Sequence, residues 1–169
     1  AAALNCQPLT AIVLQGLLAP LLDSVNVVNA TLIAKQRGID VREVKRDQAE
    51  DYQTLIRLTI ATERQQRTVA GTLFGGDKPR IVEIKGIKIE AELSPHMLYF
   101  TNEDKPGLIG GMGQILGDAG LNIATFHLGR AEAGGAAIGL VSTDSDASEQ
   151  VLDQLRALPF IVQVKALRF

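Results

Sequence analysis

The sequence predicts an α+β protein in two small domains: an N-terminal one with a mostly antiparallel sheet and a C-terminal one of the ferredoxin-like βαββαβ kind. Three observations predict it. Apolar residues recur at helical spacing before Gly38 and at a period of two after it, and from His96 onward the two periods alternate as strand, helix, strand, strand, helix, strand. At 169 residues the chain lies between one and two typical domains. The break is expected at Ser94-Pro95, because the residue before proline is pushed out of helix and the pattern restarts after it. The expected domains are therefore 1–95 and 96–169.

Between Pro8 and Leu22 the residues Leu9, Ile12, Val13, Leu17 and Leu21 fall on one helical face, and Asp23-Ser24 closes the segment. A second helix is expected over Val27–Arg37. Asn26 can cap its start, Lys35 and Arg37 suit the negative end of its dipole, and Gly38 stops it. Beyond Gly38, Ile39, Val41 and Val44 alternate as a strand, and further strands are expected at 55–62 and 68–74. Residues 80–84 and 87–90 read as a tight hairpin about Lys85-Gly86.

In the second part, strands are expected at His96–Asn102, Asn122–Gly129, Ala136–Thr143 and Ile161–Phe169, with helices at Gly107–Ala119 and Ala147–Leu158. Right-handed crossovers set both helices on one face of the four-stranded sheet and leave the other face for a partner.

Composition excludes several classes. Hydrophobic residues at 46% and charged residues at 21% are the balance of a folded globular protein, not a disordered one. The net charge of -2 arises from 17 basic and 19 acidic residues that intermingle, so no nucleic-acid partner is expected. No apolar stretch is long enough to cross a bilayer and none follows a basic leader, so the expectation is a cytoplasmic protein without a membrane. The chain starts Ala-Ala-Ala-Leu-Asn-Cys with no initiator Met, as a processed protein or an excised fragment would. A single cysteine, Cys6, cannot form an internal disulfide or hold a metal alone, and is expected as a small buried hydrophobe.

The segment from Thr101 to Ile123 is the most informative. A strand ends in Asn102-Glu103-Asp104, Pro106 opens a helix where its missing N–H costs nothing, and six glycines lie between Gly107 and Gly120. Free N–H groups at such a helix start attract a carboxylate, Asp104 can take an ammonium group, and the amides of Asn102 and Asn122 both donate and accept. Together these suit a small zwitterion. The same residues also suit a plain cap and turn, and both readings stand on the pattern alone. Gly111-Met-Gly113-Gln-Ile-Leu-Gly117 has one residue too many for a dinucleotide fingerprint. His96 and His127 have no Ser, Cys or carboxylate at a diagnostic spacing, so no catalytic residue and no metal site are expected. Arg130 and Lys105 are expected as surface or interface charges.

His96-Met-Leu-Tyr-Phe-Thr-Asn-Glu-Asp-Lys-Pro-Gly, Gly120-Leu-Asn-Ile-Ala and Val164-Lys-Ala-Leu-Arg-Phe resemble the ACT domain of long-form D-3-phosphoglycerate dehydrogenases. Val25-Asn-Val-Val-Asn-Ala, Ala34-Lys-Gln-Arg-Gly-Ile, Ala70-Gly-Thr-Leu-Phe and Pro79-Arg-Ile-Val-Glu-Ile-Lys-Gly-Ile are similar to the intervening domain of that family. The resemblance implies a regulatory fragment without catalysis of its own, its parent an NAD-dependent oxidoreductase of L-serine biosynthesis. It further implies homo-oligomers joined through ACT domains, with L-serine bound at their interfaces as feedback inhibitor. The family's effector positions fall on Asn102, Asp104 and Asn122, with Pro106 and Gly107 shaping the turn and Asn122 coming from the adjoining subunit. Other members place His or Tyr where Asn102 stands. The resemblance also implies an anionic, substrate-like effector in the intervening domain, with Arg80 and Lys88 at its basic positions, although Glu92 stands where a further basic residue is expected. Iron–sulfur L-serine dehydratases carry a related domain pair, and an assembly module that has lost its effector would share the same fold.

Overall fold

The computed structural model describes residues 5–45, 51–52 and 54–169. The chain divides into two compact units, Ala1–Asp51 and Tyr52–Phe169.

The first unit is a helix pair, α1 (Gln7–Leu18) and α2 (Ala30–Gln36). Its core is Leu14, Leu18, Val25, Ala30 and Ala34, and the two buried alanines are small enough to bring the helices close. Both helices are shorter than the apolar spacing predicts. Helix α1 ends before Pro20, and α2 begins at Ala30 because Asn26 and Asn29 fold the preceding turn instead. Asn26 Oδ1 accepts from the backbone N–H of Val28 and of Asn29, while Asn29 Oδ1 accepts from that of Asn26. The cap position is thus Asn29, not Asn26. The expected strand at Ile39, Val41 and Val44 does not form; these residues run as irregular chain.

The second unit holds two four-stranded antiparallel sheets. Strands β1 (Ile56–Ala61), β2 (Gln66–Phe74), β3 (Lys78–Ile84) and β4 (Ile87–Glu92) form a meander in chain order. Its β3–β4 turn is the two-residue loop Lys85-Gly86, both with positive φ, as the right-handed twist of a hairpin demands. Then follow β5 (His96–Glu103), α3 (Leu108–Asp118), β6 (Ile123–Arg130), β7 (Ala136–Thr143), α4 (Glu149–Arg156) and β8 (Ile161–Arg168), the βαββαβ order, with the sheet arranged β6-β7-β5-β8. The ferredoxin-like expectation holds, and the fold class is α+β.

The second sheet buries both faces. On one side Leu98, Phe100, Val141 and Val164 meet Leu108, Met112 and Leu116 of α3 and Val151, Leu152 and Leu155 of α4. On the other side Met97, Ile138 and Leu140 pack against Ile87, Ile89 and Ala91 of β4. That face, which the sequence pattern left for a partner, is therefore covered in part by the first sheet of the same chain. Ser94-Pro95 joins two sheets that share a core.

Two glycines make these contacts possible. A Cβ at Gly129 of β6 would overlap the Lys88 carbonyl oxygen of β4, so the two sheets approach backbone to backbone there. A Cβ at Gly139 of β7 would overlap the ring of Phe100, its cross-strand neighbour. Phe100 lies over that bare backbone and tilts against Phe126, 5.9 Å away between ring centres.

Gly139→Ala should therefore destabilise the protein by about 1–3 kcal/mol, the usual cost of overpacking. Chemical denaturation measures it. In a Phe100→Leu background the same change should cost less, and strict additivity of the two substitutions would contradict the packing account.

Candidate functional site

Strand alternation decides which side chains meet at the end of β5. Leu98 and Phe100 point toward the helices, so Asn102 continues that face at the strand's end. It is paired with Ala137 of β7, and Ala137 is paired in turn with Arg130 of β6. Phe126 lies against the helix-side core, which puts Arg130 on the same face by the same alternation. Asn102, Ala137 and Arg130 thus form one row across the sheet, its ends roughly 10 Å apart by strand spacing. The small methyl of Ala137 keeps the middle of the row low.

Asn102 is 95% buried. Its Nδ2 donates to the Glu103 carbonyl at 2.7 Å, while its Oδ1 is buried without a protein partner among the described residues. A buried amide oxygen left so is costly unless something donates to it. Beside it the ladder between β5 and β8 shifts register at Thr101/Asn102, and Phe160 takes a φ of 70°. Its carbonyl thereby accepts from the Glu103 N–H at 2.9 Å.

Asp104 follows in the turn. Its Oδ2 accepts from the Gly134 N–H at 3.2 Å and from Arg130 Nη1 at 3.1 Å, and its own N–H donates to the Gly135 carbonyl at 2.8 Å. The turn between β6 and β7 is therefore tied to the turn between β5 and α3. The Gly134 amide, with the Arg130 guanidinium after it, holds the Asp104 carboxyl below its ordinary range. It is an anion at physiological pH. Pro106 precedes Gly107, whose φ of 94° turns the chain into α3; no side chain caps that helix. Asn102, Asp104, Pro106 and Gly107 thus stand together at one corner of the sheet.

Asn122 does not join them. It precedes β6, its Nδ2 donates to Asp144 Oδ2 at 3.0 Å, and the seven positions from Ile123 to Arg130 put it roughly 23 Å away along the strand. Within one chain it sits at the opposite end of the sheet. That end also holds His96 and Arg168, both bound to Asp146, whose carboxyl is lowered first by the His96 hydrogen bond and then by Arg168.

Arg80 and Lys88 lie on the first sheet. Arg80 forms an ion pair with Glu92, its cross-strand neighbour, and its guanidinium stands 5.7 Å from the centre of the Phe74 ring. Lys88 faces Glu83 across the same ladder, roughly 13 Å along β4 from Glu92. Glu83 pairs with Arg57 and Glu90 accepts from the Tyr52 hydroxyl. This face matches carboxylates to cations, and Glu92 occupies Arg80 directly.

The sequence pattern reads Arg130 only as a surface or interface charge and passes over Gly134. Only the register of the β6–β7 hairpin brings them to Asp104. The one available signal was Ala133-Gly134-Gly135, a glycine turn that allows backbone N–H groups to face a carboxylate.

Residues 1–85 match the D-3-phosphoglycerate dehydrogenase intervening domain, and residues 96–160 match the ACT domain. A D-3-phosphoglycerate dehydrogenase of Bacillus subtilis is 39% identical over 158 residues, covering 93% of this chain and 30% of that protein. One from Methanocaldococcus jannaschii is 34% identical, covering 89% of this chain and 29% of its own length. A probable L-serine dehydratase beta chain of Bacillus subtilis is 26% identical, covering 82% of this chain and 63% of that one. The chain thus spans about 30% of the length of the dehydrogenases it matches. Among the described residues no helix is long and apolar enough to cross a membrane.

Asp104 titrates lower in the folded chain than in the unfolded one. Its contribution to stability is therefore fully present above the unfolded value and is lost as pH falls through the folded value. Carbon-detected NMR of the carboxyl should show this depressed midpoint. Arg130→Ala should raise the midpoint part of the way, since the Gly134 amide remains. An unchanged midpoint would remove Arg130 from the account.

Proposed function

The chain belongs to the D-3-phosphoglycerate dehydrogenase intervening-domain family, with an ACT domain following it, and from this we propose that it is the regulatory region of such a dehydrogenase and senses L-serine. The observation that carries the proposal is the β5–α3 corner. An ionised Asp104 there stands beside the exposed Pro106-Gly107 turn and a buried amide oxygen on Asn102. An amino acid suits this corner: its ammonium group answers the Asp104 carboxylate, and its carboxylate answers the hydrogen-bond donors beside it.

Asn122 enters this reading only from a second copy. Its place at the far end of the sheet supports a site at the seam of two ACT modules set side by side in opposite directions. Each seam then holds Asp104 of one copy and Asn122 of the other. Binding there stabilises one arrangement of the modules over others, which is what feedback control of an attached enzyme requires. The cytoplasmic parent enzyme, its NAD and its hydride transfer belong to this proposal, and residues 1–169 take no part in that step.

Similarity to the L-serine dehydratase beta chain supports a second reading, in which the same sensor regulates serine breakdown. Assay of the complete polypeptide separates them: oxidation of a hydroxy acid with NAD in one case, release of ammonia from L-serine in the other.

L-Serine at millimolar concentration should raise the melting temperature and bind with measurable heat, and neither Asp104→Ala nor Asn122→Ala should respond. Mixing the two variants and allowing subunits to exchange should restore binding, because one seam of each mixed dimer then has both residues intact. Failure of the mixture to recover, with exchange confirmed, would place the site within a single copy.

A further inference from the structure

We infer that Arg130 is the carboxylate-recognition residue of the effector site, which makes the site selective for amino acids with a free α-carboxylate. The inference rests on the amino-acid-sensing reading above and adds to it a residue that the sequence pattern treats as a surface charge.

The argument begins with what the ion pair leaves unused. Among the described residues both partners of the Asp104 carboxylate, Arg130 Nη1 and the Gly134 N–H, sit on Oδ2. Among the described residues Oδ1 has none. Arg130 makes a single hydrogen bond, through Nη1, and its side chain is 59% exposed, so donors of its planar fork remain available to a ligand. A half-used anion and a half-used cation therefore lie in contact at the corner. An α-amino acid carries its ammonium and carboxylate on one carbon, and it needs an acceptor and a donor placed side by side. Asp104 Oδ1 and the outer edge of Arg130 provide that spacing without breaking the pair that already orients both.

Competing groups are weaker candidates. Lys105 lies in the same turn, but its ammonium is a point charge on a flexible stem, whereas a guanidinium meets a carboxylate with two parallel bonds. Glu103 and Glu132, at the same end of the sheet, make no hydrogen bond to Arg130. Arg130 is also anchored: it closes β6 opposite Ala137, in the row that ends at Asn102, so the strand ladder fixes where its side chain starts.

The test is calorimetric titration of the whole chain with L-serine and with L-serinamide, which keeps the ammonium and hydroxyl but lacks the carboxylate. The wild-type chain should prefer L-serine by at least about tenfold. Arg130→Gln should weaken L-serine by about 10- to 100-fold and leave L-serinamide unchanged, with Arg130→Lys between them. Lys105→Gln should alter both ligands by less than about threefold. Asp104→Asn should weaken both ligands together. Melting temperature and light scattering confirm that each variant is folded and assembled as the parent is. An Arg130→Gln variant that keeps the wild-type preference for L-serine overturns the assignment while leaving the sensor reading intact. One that binds L-serine more tightly overturns it too, because Arg130 would then compete with the ligand's ammonium. A wild-type chain that binds no amino acid overturns the sensor reading and this inference with it.

Discussion

The antiparallel register of β5 against β7 is the constraint on which the second unit depends. It sets Leu98 beside Val141, Phe100 over Gly139 and Asn102 beside Ala137, one pair after another along the same face. The first two pairs build the core under the helices, and the third places the polar corner. A slip of one residue would turn the core residues outward and Asn102 toward the first sheet. Phe100 and Gly139 resist such a slip, because the ring fits only over a position without a side chain. Core packing and placement of the polar corner are therefore a single requirement.

From that register the rest follows outward. The β7 strand carries β6 on its other edge, and this alone brings Arg130 level with Asn102. The β6–β7 turn then meets the β5–α3 turn through the Asp104 carboxylate and backbone, and Phe160 ties the approach to β8 into the same corner through the Glu103 N–H. Three turns distant in sequence are held by backbone N–H and C=O groups. An exposed ion pair alone would hold them poorly, since solvent and salt weaken it. The backbone bonds fix the corner, and the Arg130–Asp104 pair gives it charge.

Much of this was legible in the sequence. The βαββαβ order, the Lys85-Gly86 hairpin and the Asp104-Lys105-Pro106-Gly107 turn all rest on local signals: period, turn chemistry and proline at a helix start. What was not legible depends on distant pairing. Asn26 and Asn29 both suit a helix cap, and only their reciprocal hydrogen bonds decide between them. Val41 and Val44 alternate as a strand would, yet alternation alone makes no ladder without a neighbour, and these residues stay irregular. Arg130 carried no local signal, because its partner lies 26 residues away across two strands. The covering of the second sheet by β4 was equally silent, since Gly129 reads as a weak strand residue until another backbone is found against it.

That covering bears on how two copies can meet. With α3 and α4 on one face and β4 against the other, the second sheet has its edges, β6 and β8, as its least covered parts. An edge strand presents unpaired N–H and C=O groups, and a second sheet can satisfy them in register. A two-fold axis beside such an edge reverses the neighbouring sheet, and reversal brings the end that holds Asn122 toward the end that holds Asp104. A sheet that joined its partner face to face would leave those residues apart. The first sheet thus bears on the proposed site without touching it: by occupying part of the face, it leaves the edge as the place where a second copy would bring opposite ends of two modules to one corner.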